Sequence, residues 1–220
     1  YDQLVRIGHL DVPEIRPTIP SDKTQYYRNK LEFTFSSKRW LLKGEDLDSV
    51  PENDRMGLGF HVGKFFDKVL DIRHCYLQKD PSNDIRLFVK KYAVDNGLDF
   101  FDIRQNVGYV RNMFVRTTDT GDLMVIMCFF YENREDREKM LDAIANAFPQ
   151  ITSLYYIINN KLNDSIGDQE CILYKGEPTI RETMEKLTFR IGPKSFYQTN
   201  SGQAYKLYSV ARDFAELTGG

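Results

Sequence analysis

Tryptophan occurs once in 220 residues, and histidine and cysteine three times each. The cysteines, Cys75, Cys128 and Cys171, are odd in number, far apart and without a CxxC pair. A disulfide framework and a zinc site therefore have no support, and a reducing, cytoplasmic setting is the default expectation. His9, His61 and His74 are isolated and complete no Ser/His/Asp or Cys/His order; each reads as a surface or satisfied histidine. Long apolar runs are missing too. The longest, residues 123–131, is far short of the roughly 20 residues of a membrane-spanning helix and suits a buried strand. Neither sign of charge prevails: 30 basic and 32 acidic side chains leave a net charge of −2. No global field draws the chain onto nucleic acid or an anionic membrane, so a polyanion site has to be a local patch. The first residues, Tyr-Asp-Gln-Leu-Val-Arg, lack the basic-then-apolar order of a leader and read as an internal start.

What is present is globular. Hydrophobic residues make up 41% of the chain, which excludes disorder and low complexity, and the length suits one large domain or one and a half. Residues 1–8 read as the last turns of a helix that Gly8 ends in a left-handed cap, followed by an extended stretch set by Pro13, Pro17 and Pro20. Period-two alternation over 27–36 predicts a strand with Leu31, Phe33 and Phe35 on one face and Arg28, Lys30, Glu32 and Thr34 on the other. Residues 56–60 and 68–72 read as short strands. Ile85, Phe88, Val89, Tyr92 and Ala93 fall at helical spacing over 80–96, with Gly97 as a stop. A hairpin is predicted for 109–116 and 122–131 around Asp119-Thr120-Gly121, then a helix capped by Asn133 and running through Phe148. Strands follow at 151–158, 171–174 and 188–191. A last helix over 201–217 is expected to bury Ala204, Leu207, Tyr208, Ala211, Phe214 and Ala215.

This order lacks regular β-α alternation, so an α+β fold is expected: antiparallel or mixed sheets of short strands and hairpins packed with two or three helices. A coarse strand–strand–helix echo between 27–97 and 109–158 hints at duplication.

The local basic patch is residues 23–43, with Lys23, Arg28, Lys30, Lys38, Arg39 and Lys43 against Glu32 alone, a local net of +5. Beside Tyr26, Tyr27 and Trp40, such cations offer the phosphate contacts and stacking surfaces that unpaired RNA requires. A solvated outer strand face whose charges protect an edge is the competing reading. Gly57-Leu-Gly59-Phe-His-Val-Gly63-Lys64 satisfies neither nucleotide fingerprint, since Val62, Leu58 and Phe65 stand where Gly, Gly and Ser or Thr are needed; it reads as a turn with a partly basic tip. The acids of 45–54 and the charges of 134–139 read as solvated faces, and Cys128 as a small core hydrophobe. In Phe196-Tyr197-Gln198-Thr199-Asn200, Asn200 is placed to cap the helix that follows, which leaves Gln198 and Thr199 available to a ligand.

Several ordered segments together resemble the S-adenosylmethionine-dependent RNA uracil-C5 methyltransferases, which make 5-methyluridine in ribosomal and transfer RNA. They are Tyr27-Arg28-Asn29-Lys30; Met56-Gly57-Leu58-Gly59-Phe60 followed by Val69-Leu70-Asp71-Ile72-Arg73-His74-Cys75; the hairpin at 109–131; and Leu187-Thr188-Phe189 running into Ser195-Phe196-Tyr197-Gln198-Thr199-Asn200. The last is the most specific, being similar to the family's F-x-Q-x-N motif. The resemblance covers the whole chain but only the family's central region. It implies a linker over 1–26, a central RNA-contacting α+β domain over 27–194, and from 195 to 220 the first helix of a truncated Rossmann-like methyltransferase domain.

The resemblance carries over few residues. Arg28 matches the basic position of the family's central strand that approaches substrate RNA and the target base, with Lys30 joining it from the basic patch, and Gln198 matches the glutamine that contacts S-adenosylmethionine. Cys75 falls where cluster-containing members place a fourth [4Fe-4S] ligand, and a buried thiol is an equal reading of it. The family's nucleophilic Cys and general base lie beyond the matched region, so no catalytic residue is expected here. The expected role is to hold RNA and orient the target uridine, with no DNA or membrane partner; by itself the chain is expected to be inactive and to hold no cofactor. A stand-alone, non-enzymatic RNA-binding or protein-interaction module is the alternative.

Overall fold

The computed structural model describes residues 1–12 and 14–216. Seven strands, β1 (Lys30–Ser36), β2 (Gly57–Val62), β3 (Phe65–Leu70), β4 (Val110–Thr117), β5 (Leu123–Phe129), β6 (Ser153–Ile158) and β7 (Ile172–Gly176), form one sheet in the order β3-β2-β1-β4-β5-β6-β7. Neighbours run antiparallel except β5 and β6, which are parallel. The crossover that parallel pairing requires is the helix α2 (Arg134–Ala147). A second sheet is the hairpin of β8 (Ile180–Met184) and β9 (Leu187–Ile191). The fold is α+β, as the element order implies.

Strand β5, next to the central strand β4, is buried at all seven of its residues. It reads as an unbroken apolar run because both sheet faces are covered. Val125 and Met127 join Phe33, Leu58 and Val115 in one core with Ile85 and Val89 of α1 (Ser82–Asp95) and with Met140, Leu141 and Ile144 of α2. Met124, Ile126 and Cys128 pack on the other side with Phe114, Tyr155 and Ile157 beneath Ile180 and Ile191 of the small hairpin.

Local chemistry sets the element ends. Asn133 caps α2 by accepting the Asp136 amide at 3.3 Å. Gly97 takes φ +63° just past α1, the left-handed position that glycine occupies at no steric cost. Gly59 has a different reason: a Cβ there would collide with the Leu70 carbonyl on β3. Gly59 thus lets β2 and β3 close together.

Several expectations are corrected. Gly8 follows a single wide turn, Gln3–Ile7, with φ −79° and not in the left-handed region. Arg28 precedes β1 instead of lying on it, and the second face of β1 is not an outer solvated face, since Thr34 and Ser36 are buried. The strand β8 was not anticipated. The acidic loop 45–54 is tied down in part: Glu45 receives the Arg39 guanidinium at 2.7 and 2.8 Å, and Asp54 receives it at 3.1 Å. This hydrogen-bonded ion pair holds the Glu45 carboxyl down to about 2. The last helix, α3 (Ser201–Phe214), buries only Ala204. Leu207 and Phe214, expected in a core, are 57% and 72% exposed, and Leu217 lies outside the described residues.

Candidate RNA interface

Two segments far apart in sequence meet at the start of α3. The Asn29 amide donates to the Thr199 carbonyl at 2.8 Å, and its side-chain nitrogen donates to the Gln198 carbonyl at 2.8 Å and to Ser201 Oγ at 2.9 Å. Asn200 accepts the Gln203 amide at 3.0 Å, the expected cap. Its own amide nitrogen reaches Ser21 at 3.2 Å, Gln203 donates to the Ile19 carbonyl at 3.0 Å, and Lys206 pairs with Asp22 at 2.6 Å. The residues that read as a linker therefore form one wall of a site and α3 the other.

Between these walls lies an open cavity of about 400 Å³, closed below by Lys79 and Asp80 ahead of α1 and by the β4–β5 turn at 117–122. Arg28 lines it. Its backbone amide is held by the Leu77 carbonyl at 2.8 Å, while the guanidinium Nε is buried and without a hydrogen-bond partner among the described residues. The acids around the cavity are engaged. Asp119 meets Lys79 at 3.4 Å, Asp122 meets Arg181 at 3.4 Å, and Glu182 accepts the amides of Asp119 and Thr183 at 3.0 Å each. Burial raises the pKa of Glu182, and these two amides work against the rise. The side chains of Arg28 and Lys23, which both line the cavity, make no hydrogen bond or ion pair among the described residues, and beside the start of α3 they favour an anion. Tyr26 adds stacking surface at the rim. Its hydroxyl meets His74 Nε2 at 3.0 Å, and the His74 ring lies 4.5 Å from that of Tyr76.

The structure does not bring all the expected site residues together. Lys30 lies outside this cavity; its ammonium sits 5.7 Å from the Phe114 ring centroid, opposite Arg116. Burial and the Arg116 charge lower its pKa. Arg116 in turn donates to the carbonyls of Gly192 and Ser195, each at 2.6 Å, and so positions the approach to Gln198. The Gln198 side chain makes no hydrogen bond among the described residues and does not line the Arg28 cavity. Cys75 is buried, its amide donating to Asn83 at 2.7 Å. Among the described residues no group of three or more His, Cys, Asp or Glu could hold a metal ion, and Cys128 and Cys171 belong to the opposite face of the sheet. The thiols present do not fit an iron–sulfur cluster on their own.

Sequence reasoning missed Asn29, Arg116 and His74. The first stands in the segment 27–30 but carries no charge, and the second is one arginine among many. The third reads as isolated until the fold sets its ring edge-on against Tyr26 and Tyr76. No described helix is long and apolar enough to cross a membrane.

No family model matches the chain. It is 55% identical over 224 aligned residues to an uncharacterized RNA methyltransferase of Porphyromonas gingivalis, covering 99% of this chain and 48% of that protein. It is 51% identical to one from Bacteroides thetaiotaomicron, covering 99% of this chain and 49% of the relative. Its fold is similar to the crystal structure of Pyrococcus abyssi tRNA (uracil-54, C5)-methyltransferase in complex with S-adenosyl-L-homocysteine, with a TM-score of 0.68, 25% identity, and coverage of 100% of this chain and 46% of that one. The similarity runs from end to end of the chain in sequence and in fold, and it is to proteins named RNA methyltransferases, of whose length the chain spans about half.

Proposed function

We propose that the chain is the RNA-holding central part of an RNA uracil-C5 methyltransferase, and that the Arg28 cavity receives the sugar–phosphate backbone next to the target uridine. The observation that carries this reading is Arg28, which lines a cavity at the amide end of α3 and whose guanidinium makes no hydrogen bond among the described residues. A phosphate there would take up donors that the protein leaves unpaired.

On this reading residues 27–194 form the RNA-contacting domain, and from Ser195 the chain enters the methyltransferase domain. The exposed Leu207, Tyr208 and Phe214 of α3 would pack there. S-adenosylmethionine, when bound, supplies the methyl group. In this chain the free side chain of Gln198 is the group placed to contact it, but the described residues around Gln198 enclose no adenosine. The covalent step needs a thiolate, and none of the three cysteines suits it. Burial pushes the thiols of Cys128 and Cys171 up, away from the thiolate form, and Cys75 is buried in the core. The chain orients RNA and does not supply the nucleophile.

Fluorescence anisotropy with a labelled oligouridylate tests this reading. Arg28→Ala is expected to weaken binding about tenfold and to lower the slope of log K against log salt by about one. Lys30→Ala, outside the cavity, is expected to matter less. Unchanged affinity and slope in Arg28→Ala would remove Arg28 from the interface.

A further inference from the structure

At the other end of β1 is a second surface that the Arg28 cavity does not use. The β2–β3 hairpin lies at the outer edge of the sheet, and it displays two adjacent rings, Phe65 at 47% and Phe66 at 59% exposure. Trp40 packs against Phe65 with centroids 5.1 Å apart, and the Arg104 guanidinium sits 5.0 Å over the Phe66 ring, held there by Asp67 at 2.5 Å. Lys64 stands exposed at the tip with φ +72°. Neither Lys64 nor Lys68 on β3 makes an ion pair among the described residues.

An edge strand is protected from pairing by charge, and its lysines need no further explanation. Two neighbouring exposed phenylalanines do. They add nothing to edge protection and cost solubility unless something covers them. Rings interleaved with cations, one ring already capped by a guanidinium, match the chemistry of bases stacked on aromatic and arginine planes with phosphates against lysine. A purely apolar protein partner would leave Lys64 and Arg104 without a role.

We propose that the β2–β3 hairpin with Trp40 and Arg104 is a second contact surface for unpaired RNA, separated from the Arg28 cavity by the length of β1, about 20 Å. The inference rests on the reading that this chain binds RNA and extends its footprint to flanking nucleotides. The experiment separates the two claims because Trp40 is the single tryptophan and lies at the hairpin. The full chain is titrated with oligouridylate while Trp40 emission and the anisotropy of the labelled oligonucleotide are both followed. Binding should quench Trp40 in Arg28→Ala as in the parent chain, at higher RNA concentration. A Lys64→Ala, Phe66→Ala double variant, altered only at exposed positions, should lose about tenfold in affinity. Binding by anisotropy with silent Trp40 emission would overturn the hairpin site and leave the Arg28 site standing. Unchanged affinity in the double variant would likewise overturn it. No binding in either readout would remove both claims.

Discussion

Glu32 shows how a single residue reports the fold. Its carboxyl reaches solvent yet lies among the residues of β1 and β4, close to Asp164, which Arg111 pairs with at 3.1 Å. Burial first, then the Asp164 charge, raise its pKa to about 7, and Lys30 offsets part of the rise. A folded-state pKa above the unfolded one means that the folded chain binds the extra proton. The associated stability is complete below about 4.5 and is lost as the pH rises through about 7. Glu32→Gln keeps the neutral form at every pH. Urea melts should therefore show the variant and the parent equal at pH 4.5, and the variant more stable by about 1 kcal/mol at pH 8, a figure already reduced for the solvent that the carboxyl reaches. Equal stability at both values would mean that the carboxylate is freely hydrated in the fold.

At the scale of elements, the strongest contrast is between β5 and α3. Every residue of β5 is buried, whereas α3 buries Ala204 alone and is held by polar contacts at its first turn. The amides of α3 should therefore exchange hydrogen orders of magnitude faster than those of β5. Asn29→Ala removes both side-chain bonds to the start of α3 and should speed exchange over 199–214 without changing β5. Each bond contributes on the order of 1 kcal/mol. Exchange in α3 as slow as in β5 would contradict this ranking. The same contrast explains what was legible in the sequence. Helices α1 and α2, β5 and the β4–β5 hairpin could be read because one rule governs each: a 3.6-residue period, an unbroken apolar run, or a turn with Gly121 at φ +94°. The buried face expected of α3 is not found because its spacing is that of a packed helix, while among the described residues only Ala204 of that face is buried. Strand β8, with Glu182 and Ile180 buried and Arg181 exposed, alternates too briefly to stand out. Arg28 was legible as a cation but not as a cavity residue, because the cavity is made by Asn29 meeting Thr199 across the whole chain.

For the molecule as a whole, the sheet with its two covering layers is a cooperative body, while 195–216 is attached to it through few apolar contacts. Arg116 clamps the carbonyls of Gly192 and Ser195, and beyond them the chain is held by Tyr197 against the second core and by Asn29 at Gln198, Thr199 and Ser201. Ending the chain at Lys194 should leave the cores around β5 intact, because Phe114, Met124 and Ile126 keep Ile180 and Ile191 above them. It removes the Ser195 carbonyl that Arg116 holds, the three Asn29 bonds and the contacts of α3 with residues 19–22, so Tm is expected to fall by roughly 2–4 °C for each kcal/mol lost in a chain of this size. The Arg28 cavity loses one wall and the amide end of α3 in the same step. The shortened chain is therefore expected to melt in one transition and yet to bind oligouridylate more weakly than the full chain, with Arg28→Ala now having little further effect. Loss of cooperative melting would instead make α3 part of the core, and would mean that its exposed face understates how firmly the helix is held.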